Sequence, residues 1–225
     1  MAISLSNVDS NITDHKLGFK HNTLAWITSR ERDEFVTFLF TSLLTNEEFR
    51  HEFIQRFAHQ LNTTFKPNHA TELLSSMVTT IEPDMHNHFH RWGEPNNYDQ
   101  WEHHIQQLQE FVSNRPTHLR EYIQSHFQLH GFVEVNIEKA TTEQITLASY
   151  EVEIEEGWTG QYFKDVPLTI DIPGASEINA SSTDDSVVSV DNNHQLIFIG
   201  PGESTIIFSD NLDNHLLSIN VKVDS

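Results

Sequence analysis

The hydrophobic period of this chain changes near Gly131. Before that residue, apolar side chains recur every three or four positions, as on one face of a helix. After it they alternate with polar residues, as in strands that bury one face. The sequence therefore predicts an α+β chain: a polar lead-in over 1–30, an orthogonal helical segment over 31–131, and a small antiparallel β-sandwich over 132–225.

The strongest helical pattern follows Pro67, where an apolar stripe predicts one long amphipathic helix. Asn46 is placed to cap the helix before it, and Pro83 opens a short helix that Gly93 closes. A further helix is expected to end at Asn114, with Pro116 starting a last one. Residues 1–30 are predicted to be a loop or a poorly ordered lead-in. The residues of the stripe are Ala70, Leu73, Leu74, Met77, Val78 and Ile81.

Beyond Gly131, short alternating runs separated by turn residues predict the strands of the sandwich. Turns are expected at Pro173-Gly174, at 191–193 and at Pro201-Gly202. The predicted strands are 132–138, 150–154, 166–172, 187–190, 196–199, 205–208 and 216–223.

The composition limits the partners of the chain. With 33 acidic and 13 basic residues its formal charge is −20, which disfavours binding to nucleic acid or to anionic membranes. The absence of cysteine excludes disulfides, thiol catalysis and thiolate metal sites. Neither a signal peptide nor a membrane-spanning segment is evident, so we expect any export signal of a parent protein to lie outside this chain.

Four motifs occur in order along the helical segment, and each has a particular composition. Together they resemble the C-terminal helical part of the CotH-type spore-coat protein kinases, a bacterial family, over Leu43–Leu129. The motifs are Asn46-Glu47-Glu48-Phe49-Arg50 with its continuation over 56–65, Ile81-Glu82-Pro83-Asp84-Met85, His88-Phe89-His90-Arg91-Trp92, and Asn114-Arg115-Pro116.

A weaker resemblance concerns the strand region. Residues 158–167 are similar to a segment that follows the helices in CotH-containing proteins, and 186–191 with 199–206 resemble the core of bacterial immunoglobulin-like domains. The resemblances imply a kinase C-lobe-like helical segment joined to an Ig-like sandwich.

The CotH resemblance implies phosphorylation of protein Ser/Thr hydroxyls with ATP and Mg²⁺ in a complete parent kinase. That chemistry needs a lysine on the phosphates and carboxylates on the metal, which the family carries in an Asp-x-Asp stretch before the helices. Here the corresponding region has Asp9 and Asp14 at a different spacing, Lys16 and Lys20 are the lysines before the helices, and no Gly-rich phosphate loop is present. We therefore assign no catalytic or metal residue and expect no cofactor in this chain.

Two histidine groups are candidate zinc ligands. His86 and His90 share a helix face with Glu82, a donor set that could bind zinc, but the pattern is more typical of a polar helix face. His88 belongs to the family motif, and the pair His103-His104 is a weaker candidate.

Acidic residues in the predicted sandwich loops could hold calcium. Their spacing matches no calcium loop, which favours solvated turn residues instead. These residues are Asp184, Asp185, Asp191, Asp210 and Asp213.

The arginines of two motifs are expected to fasten helices. We expect Arg91 beside Trp92, and Arg115 before Pro116, to place a guanidinium against an aromatic ring or a carboxylate. The aromatic stripes at 49, 53 and 57 and at 98 and 101 are expected to be core.

Two functions are consistent with the sequence. The first is the C-terminal part of a CotH-like kinase that is not catalytic alone, with a missing N-terminal lobe or a protein acceptor as partner. The alternative is a non-catalytic cell-surface binding or adhesion module, whose Ig-like domain contacts a surface protein or glycan. Either function would be extracytoplasmic or at the cell surface if the parent protein is exported.

Overall fold

The computed structural model describes residues 18–29, 35–139, 146–147, 150–151, 157–172 and 177–224. It contains helices followed by antiparallel sheets, which confirms the α+β fold class. The turn expected at Pro173-Gly174 and the end of the strand predicted at 150–154 lie outside the described residues.

Six α-helices and two short 3₁₀ helices are found in the described part of the chain. The 3₁₀ helices span Gly18–Lys20 and Glu82–Asp84. The α-helices are α1 (Thr23–Ser29), α2 (Phe35–Leu43), α3 (Glu47–Asn62), α4 (Pro67–Ile81), α5 (Met85–Trp92) and α6 (Tyr98–Phe127).

The chain divides into two compact units that do not follow chain order. One contains residues up to Trp26 together with Thr63–Tyr122. The other contains Ile27–Asn62 and the chain from Ile123 onward. Helices α2 and α3 therefore belong to the unit that holds the strands. They are separated from the first strand, which begins at Phe132, by the helices α4 to α6.

The first unit has a small apolar core. Met85 and Trp101 are its buried large apolar side chains among the described residues. Tyr98 packs edge-on against Phe89 and Trp101, with ring centroids 5.0 and 5.8 Å apart. Gly93 ends α5 with φ of +71°, a left-handed conformation that glycine adopts without the steric cost of a Cβ atom.

The second unit contains two five-stranded antiparallel sheets. Their orders are β4-β1-β10-β9-β6 and β3-β2-β5-β8-β7. The strands are β1 (Phe132–Lys139), β2 (Thr146–Leu147), β3 (Tyr150–Glu151), β4 (Trp158–Phe163), β5 (Leu168–Asp171), β6 (Ile178–Ser182), β7 (Val188–Val190), β8 (Gln195–Phe198), β9 (Gly202–Asp210) and β10 (His215–Val223).

Alternation of burial along the strands determines which residues form the core of the second unit. In β1, Val133, Val135 and Ile137 are buried, while the intervening Glu134 and Glu138 are exposed. The same alternation in β10 buries Ile219 and its neighbours two positions away. This is the period of two that the sequence showed beyond Gly131.

The structure differs from the sequence expectation at Pro116. Helix α6 continues through this proline from Tyr98 to Phe127, so the predicted break after Asn114 is wrong. A proline inside a helix removes one backbone donor and crowds the preceding turn, but it does not forbid the helix when tertiary contacts hold both sides. Arg115 and Tyr122 make such contacts.

Other differences concern short elements. Residues 18–29, expected as a lead-in, form the first 3₁₀ helix and α1. Asn22 caps α1, because its Oδ1 accepts a hydrogen bond from the Ala25 amide at 2.9 Å. Strands β2, β4 and β6 were not predicted, and β6 is polar enough to resemble a loop.

Candidate functional site

Arg115, in the fourth family motif, lies on α6 and binds the turn before α1. Its Nη1 donates to the carbonyl oxygens of Phe19 and His21, at 2.8 and 2.6 Å. Its Nη2 lies 3.5 Å from Thr23 Oγ1. Burial lowers the pKa of the guanidinium, and the nearby Tyr122 hydroxyl opposes that shift. The expected partner was an aromatic ring or a carboxylate, whereas the actual partners are backbone carbonyls and a hydroxyl.

Two more residues on this face of α6 contact the same turn. The Tyr122 hydroxyl donates to the carbonyl of Lys20. The His118 ring stacks on Phe19 and on Tyr122, with centroids 5.5 and 6.1 Å away. Residues 115, 118 and 122 are spaced so that they share one helix face. The Asn-Arg-Pro motif is therefore part of an anchor for residues 18–23.

The Asn46–Arg50 motif builds the start of α3. Asn46 Oδ1 accepts from the Phe49 amide at 2.9 Å, the N-cap bond that the sequence predicted. Arg50 Nη1 donates to the carbonyl of Leu44 at 3.3 Å. This motif thus satisfies polar groups of the backbone at the junction between α2 and α3.

The end of α3 is hydrogen-bonded to strand β4. Asn62 Nδ2 donates to the Gln161 carbonyl at 2.9 Å, and its Oδ1 accepts from the Gln161 amide at 3.0 Å. One turn earlier, His59 Nδ1 lies 3.2 Å from the Tyr162 hydroxyl. His59 is fully buried, and burial lowers its pKa. Sequence reasoning did not assign roles to these residues, although both lie in the continuation of the first motif.

In strand β4, Gly160 leaves space for the large side chain of Trp158. The Trp158 indole lies over Gly160, where a Cβ atom would be 2.2 Å from the ring. Glycine at this position therefore leaves space for the tryptophan on the strand surface. The segment was singled out by resemblance, and in the structure its role is packing.

Arg91 and Trp92, which are neighbours on α5, stack on each other. The Arg91 guanidinium carbon is 4.9 Å from the centroid of its neighbour's ring. Trp92 remains 64% exposed. The contact with an aromatic ring is as expected, but the partner is the adjacent residue on the same helix.

The zinc candidates His86, His88 and His90 lie on α5, and the pair His103-His104 lies on α6. His88 Nε2 is 3.0 Å from the Glu94 carbonyl oxygen, while His86 and His90 are exposed. His103 Nε2 is 2.6 Å from Gln107 Nε2. In the part of the chain that the structure describes, no group of three or more His, Asp or Glu side chains could hold a metal ion.

The calcium candidates act as turn-forming residues. Asp210 accepts from the backbone amides of Leu212 and Asn214, at 2.9 and 2.8 Å. Asp184 and Asp191 accept from amides two residues further along, at 2.9 Å. Hydrogen bonds from Ser186 and Asn214 lower the pKa values of Asp184 and Asp210, respectively. These carboxylates stabilise the turns of their own loops.

Of the residues weighed for phosphoryl transfer, Asp9, Asp14 and Lys16 lie outside the described residues. Lys20 ends the first 3₁₀ helix, with its Nζ 5.7 Å from the Phe19 ring centroid. None of the described helices is long and apolar enough to cross a membrane.

The helices of this chain are similar to those of a known family. Residues 14–119 match the family described as CotH kinase protein. Over these residues the chain is similar to the CotH family. This match confirms the CotH resemblance that the four motifs indicated. The matched residues include Arg115, which anchors residues 18–23, and Asn62, which binds Gln161 of β4. Neither the curated proteins nor the solved structures gave a match.

Proposed function

We propose that this chain supplies the C-terminal helical part of a CotH-type protein kinase and does not catalyse phosphoryl transfer alone. In the complete kinase, ATP and Mg²⁺ would support phosphorylation of Ser/Thr hydroxyls on a protein acceptor. The family match over residues 14–119 is the observation that carries the proposal. The use of the family motifs is consistent with a scaffold, because Asn46 and Arg115 bind backbone groups of this chain.

The exposed apolar face of α4 suggests that another part of a larger protein binds there. The most regular apolar stripe of the sequence lies on this helix, yet Leu73, Met77 and Ile81 are 51%, 55% and 47% exposed. These three residues are four positions apart and thus lie along one face. A face of this kind is ordinarily covered by another apolar surface. We infer that the N-terminal lobe of the complete kinase covers it.

A phosphotransfer assay tests the proposal. The chain alone, given Mg²⁺-ATP and a serine-rich acceptor, should show only background transfer. Addition of a CotH-type N-terminal lobe that carries the lysine and the Asp-x-Asp stretch should restore activity. Robust transfer by the chain alone would disprove the proposal.

The assay also has a matched pair of variants. Met77→Glu places a charge in the apolar stripe and should abolish the restored activity. Thr79→Glu places the same charge on the polar face of α4 and should not. Equal activity of the two variants would show that the stripe does not dock the lobe.

A second proposal gives the strands a binding role at a surface. One face of the first sheet carries a polar row across four strands: Thr159, Asn136, Asn220 and Thr205 are consecutive cross-strand neighbours. Hydroxyl and amide groups in such a row are suited to a glycan. Binding of the chain to cell-wall material, weakened by Asn220→Ala but not by the exposed Asn87→Ala, would support this role. The Ig-like assignment of residues 132–225 belongs to the same proposal.

A further inference from the structure

A small pocket of about 170 Å³ lies within the second unit, between α3, the end of α6 and the turn after β4. Its floor is apolar, formed by Ile54, Phe127 and Val166. Ile54 and Val166 are almost fully buried. At roughly 30 Å³ per water molecule, the volume corresponds to five or six waters. A ligand the size of an aliphatic amino acid has about this volume.

The pocket lining includes a cation, Arg50, with guanidinium donors that no hydrogen bond among the described residues uses. Arg50 belongs to the Asn46–Arg50 motif at the start of α3. Its hydrogen bond to the Leu44 carbonyl involves one of the five guanidinium N–H groups. Among the described residues it has no carboxylate partner within ion-pair distance. His51, which also lines the pocket, is 4.0 Å from Glu47.

The pocket lining also includes an anion, Asp165. Asp165 accepts hydrogen bonds from the His130 amide and from its ring nitrogen, the latter at 2.9 Å. Desolvation raises the pKa of Asp165, but the bonds from the His130 backbone and ring outweigh it, and the pKa is lowered. The carboxylate therefore stays ionised and fixed in direction, and each oxygen keeps a further lone pair for a ligand.

The end of α6 adds to the negative side of the pocket. Helix α6 ends at Phe127, and the partial negative charge of a helix C-terminus favours a cation nearby. The next residue, Gln128, lines the pocket with φ of +56°. Glycine is the usual residue at such a position because a side chain costs about 1 kcal/mol there. This chain has a glutamine at that position instead.

We propose that this pocket binds a free aliphatic α-amino acid in its zwitterionic form. Arg50 receives the carboxylate, Asp165 and the α6 terminus receive the ammonium group, and the apolar floor receives the side chain. A cation, an anion and apolar side chains that line one pocket match the three parts of such a ligand. The site goes beyond the proposed kinase-related function and does not depend on it.

Titration of the isotopically labelled chain with L-leucine, followed by amide NMR, tests the site. Saturable shifts at Gln128, Leu129 and Val166 are expected, with a Kd in the millimolar range. Two probes that each lack one charge, 4-methylpentanoate and 3-methylbutylamine, should bind at least about tenfold more weakly. Because these comparisons use the unaltered chain, they do not depend on the folding of a variant. Absence of saturable shifts, or equal binding of the three probes, would overturn the proposal.

Substitutions test which residue binds each charged group of the ligand. Arg50→Gln should weaken L-leucine binding at least tenfold, whereas Arg56→Gln, on the same helix but outside the pocket, should not. Asp165→Asn should weaken binding of L-leucine and of 3-methylbutylamine but not of 4-methylpentanoate. Unchanged L-leucine binding by a folded Arg50→Gln variant would contradict the assignment.

Discussion

The carboxamide of Asn62 pairs with both backbone groups of Gln161, donating to its carbonyl and accepting from its amide. Gln161 lies in β4, which is the edge strand of the first sheet. An edge strand presents unpaired backbone groups that can recruit another chain. The last residue of α3 therefore closes part of a sheet edge, which connects a CotH-region helix to the strands of its own compact unit.

Asn62→Ala should destabilise the second unit by about 2–3 kcal/mol, because two hydrogen bonds are lost and backbone groups at a part-buried site are left unsatisfied. Urea denaturation would measure this loss as a lower midpoint. Asn87→Ala, an exposed asparagine in α5, is the control and should change stability little. Equal effects of the two substitutions would show that the pair with Gln161 contributes nothing specific.

The buried His59 should make stability depend on pH. Burial lowers its pKa below 6.5, so the unfolded chain binds a proton at a pH where the folded chain does not. The stability associated with neutral His59 is therefore complete above about pH 6.5 and is lost as the pH falls. Unfolding free energies measured from pH 7.5 to 5 should show a smaller slope for His59→Gln. The same slope in both proteins would contradict the assignment.

Arg115→Lys should release the turn formed by residues 18–23. A lysine ammonium cannot reach the carbonyls of Phe19 and His21 and the Thr23 hydroxyl in the planar geometry of a guanidinium. We expect a local loss of about 2 kcal/mol, which corresponds to roughly thirtyfold faster hydrogen exchange over residues 18–26. Arg91→Ala, at an exposed stack, should leave exchange in this segment unchanged. Protection that persists in Arg115→Lys would mean that other contacts hold the turn.

Because α6 continues through Pro116, replacing this proline should increase stability, whereas the substitutions above decrease it. Pro116→Ala restores a backbone donor toward the Val112 carbonyl and removes the steric conflict of the ring, so it should stabilise the chain by roughly 1–3 kcal/mol. Thermal unfolding would detect this as a higher midpoint. A lower midpoint would indicate that the proline is needed for the shape of the helix.

The sequence predicted the secondary-structure elements more accurately than the tertiary contacts between them. The α4 stripe located that helix correctly, since its period is repeated over four turns. It could not show that Leu73 and Met77 remain exposed, because periodicity identifies an apolar face but not what covers it. The break predicted at Pro116 failed for a related reason: the anchoring contacts of Arg115 reach residues more than 90 positions away.

The same limit applies to the candidate sites. The Asn46 cap was predictable because its partner is three residues away. The partner of Asn62 is 99 residues away, in a strand that alternation alone did not predict. The pocket could not be predicted either, because Arg50 and Asp165 come together only when α3 packs near the turn after β4.

Gly160 provides a last test, of close packing on β4. A Cβ atom at this position would lie 2.2 Å from the Trp158 ring, so Gly160→Ala requires the indole to leave the strand surface. We expect a loss of about 1–3 kcal/mol, together with a red shift of tryptophan fluorescence as the ring becomes hydrated. In a Trp158→Ala background the clash is absent, and the same glycine substitution should then cost little. Additive effects of the two changes would show that the indole does not occupy the space above Gly160.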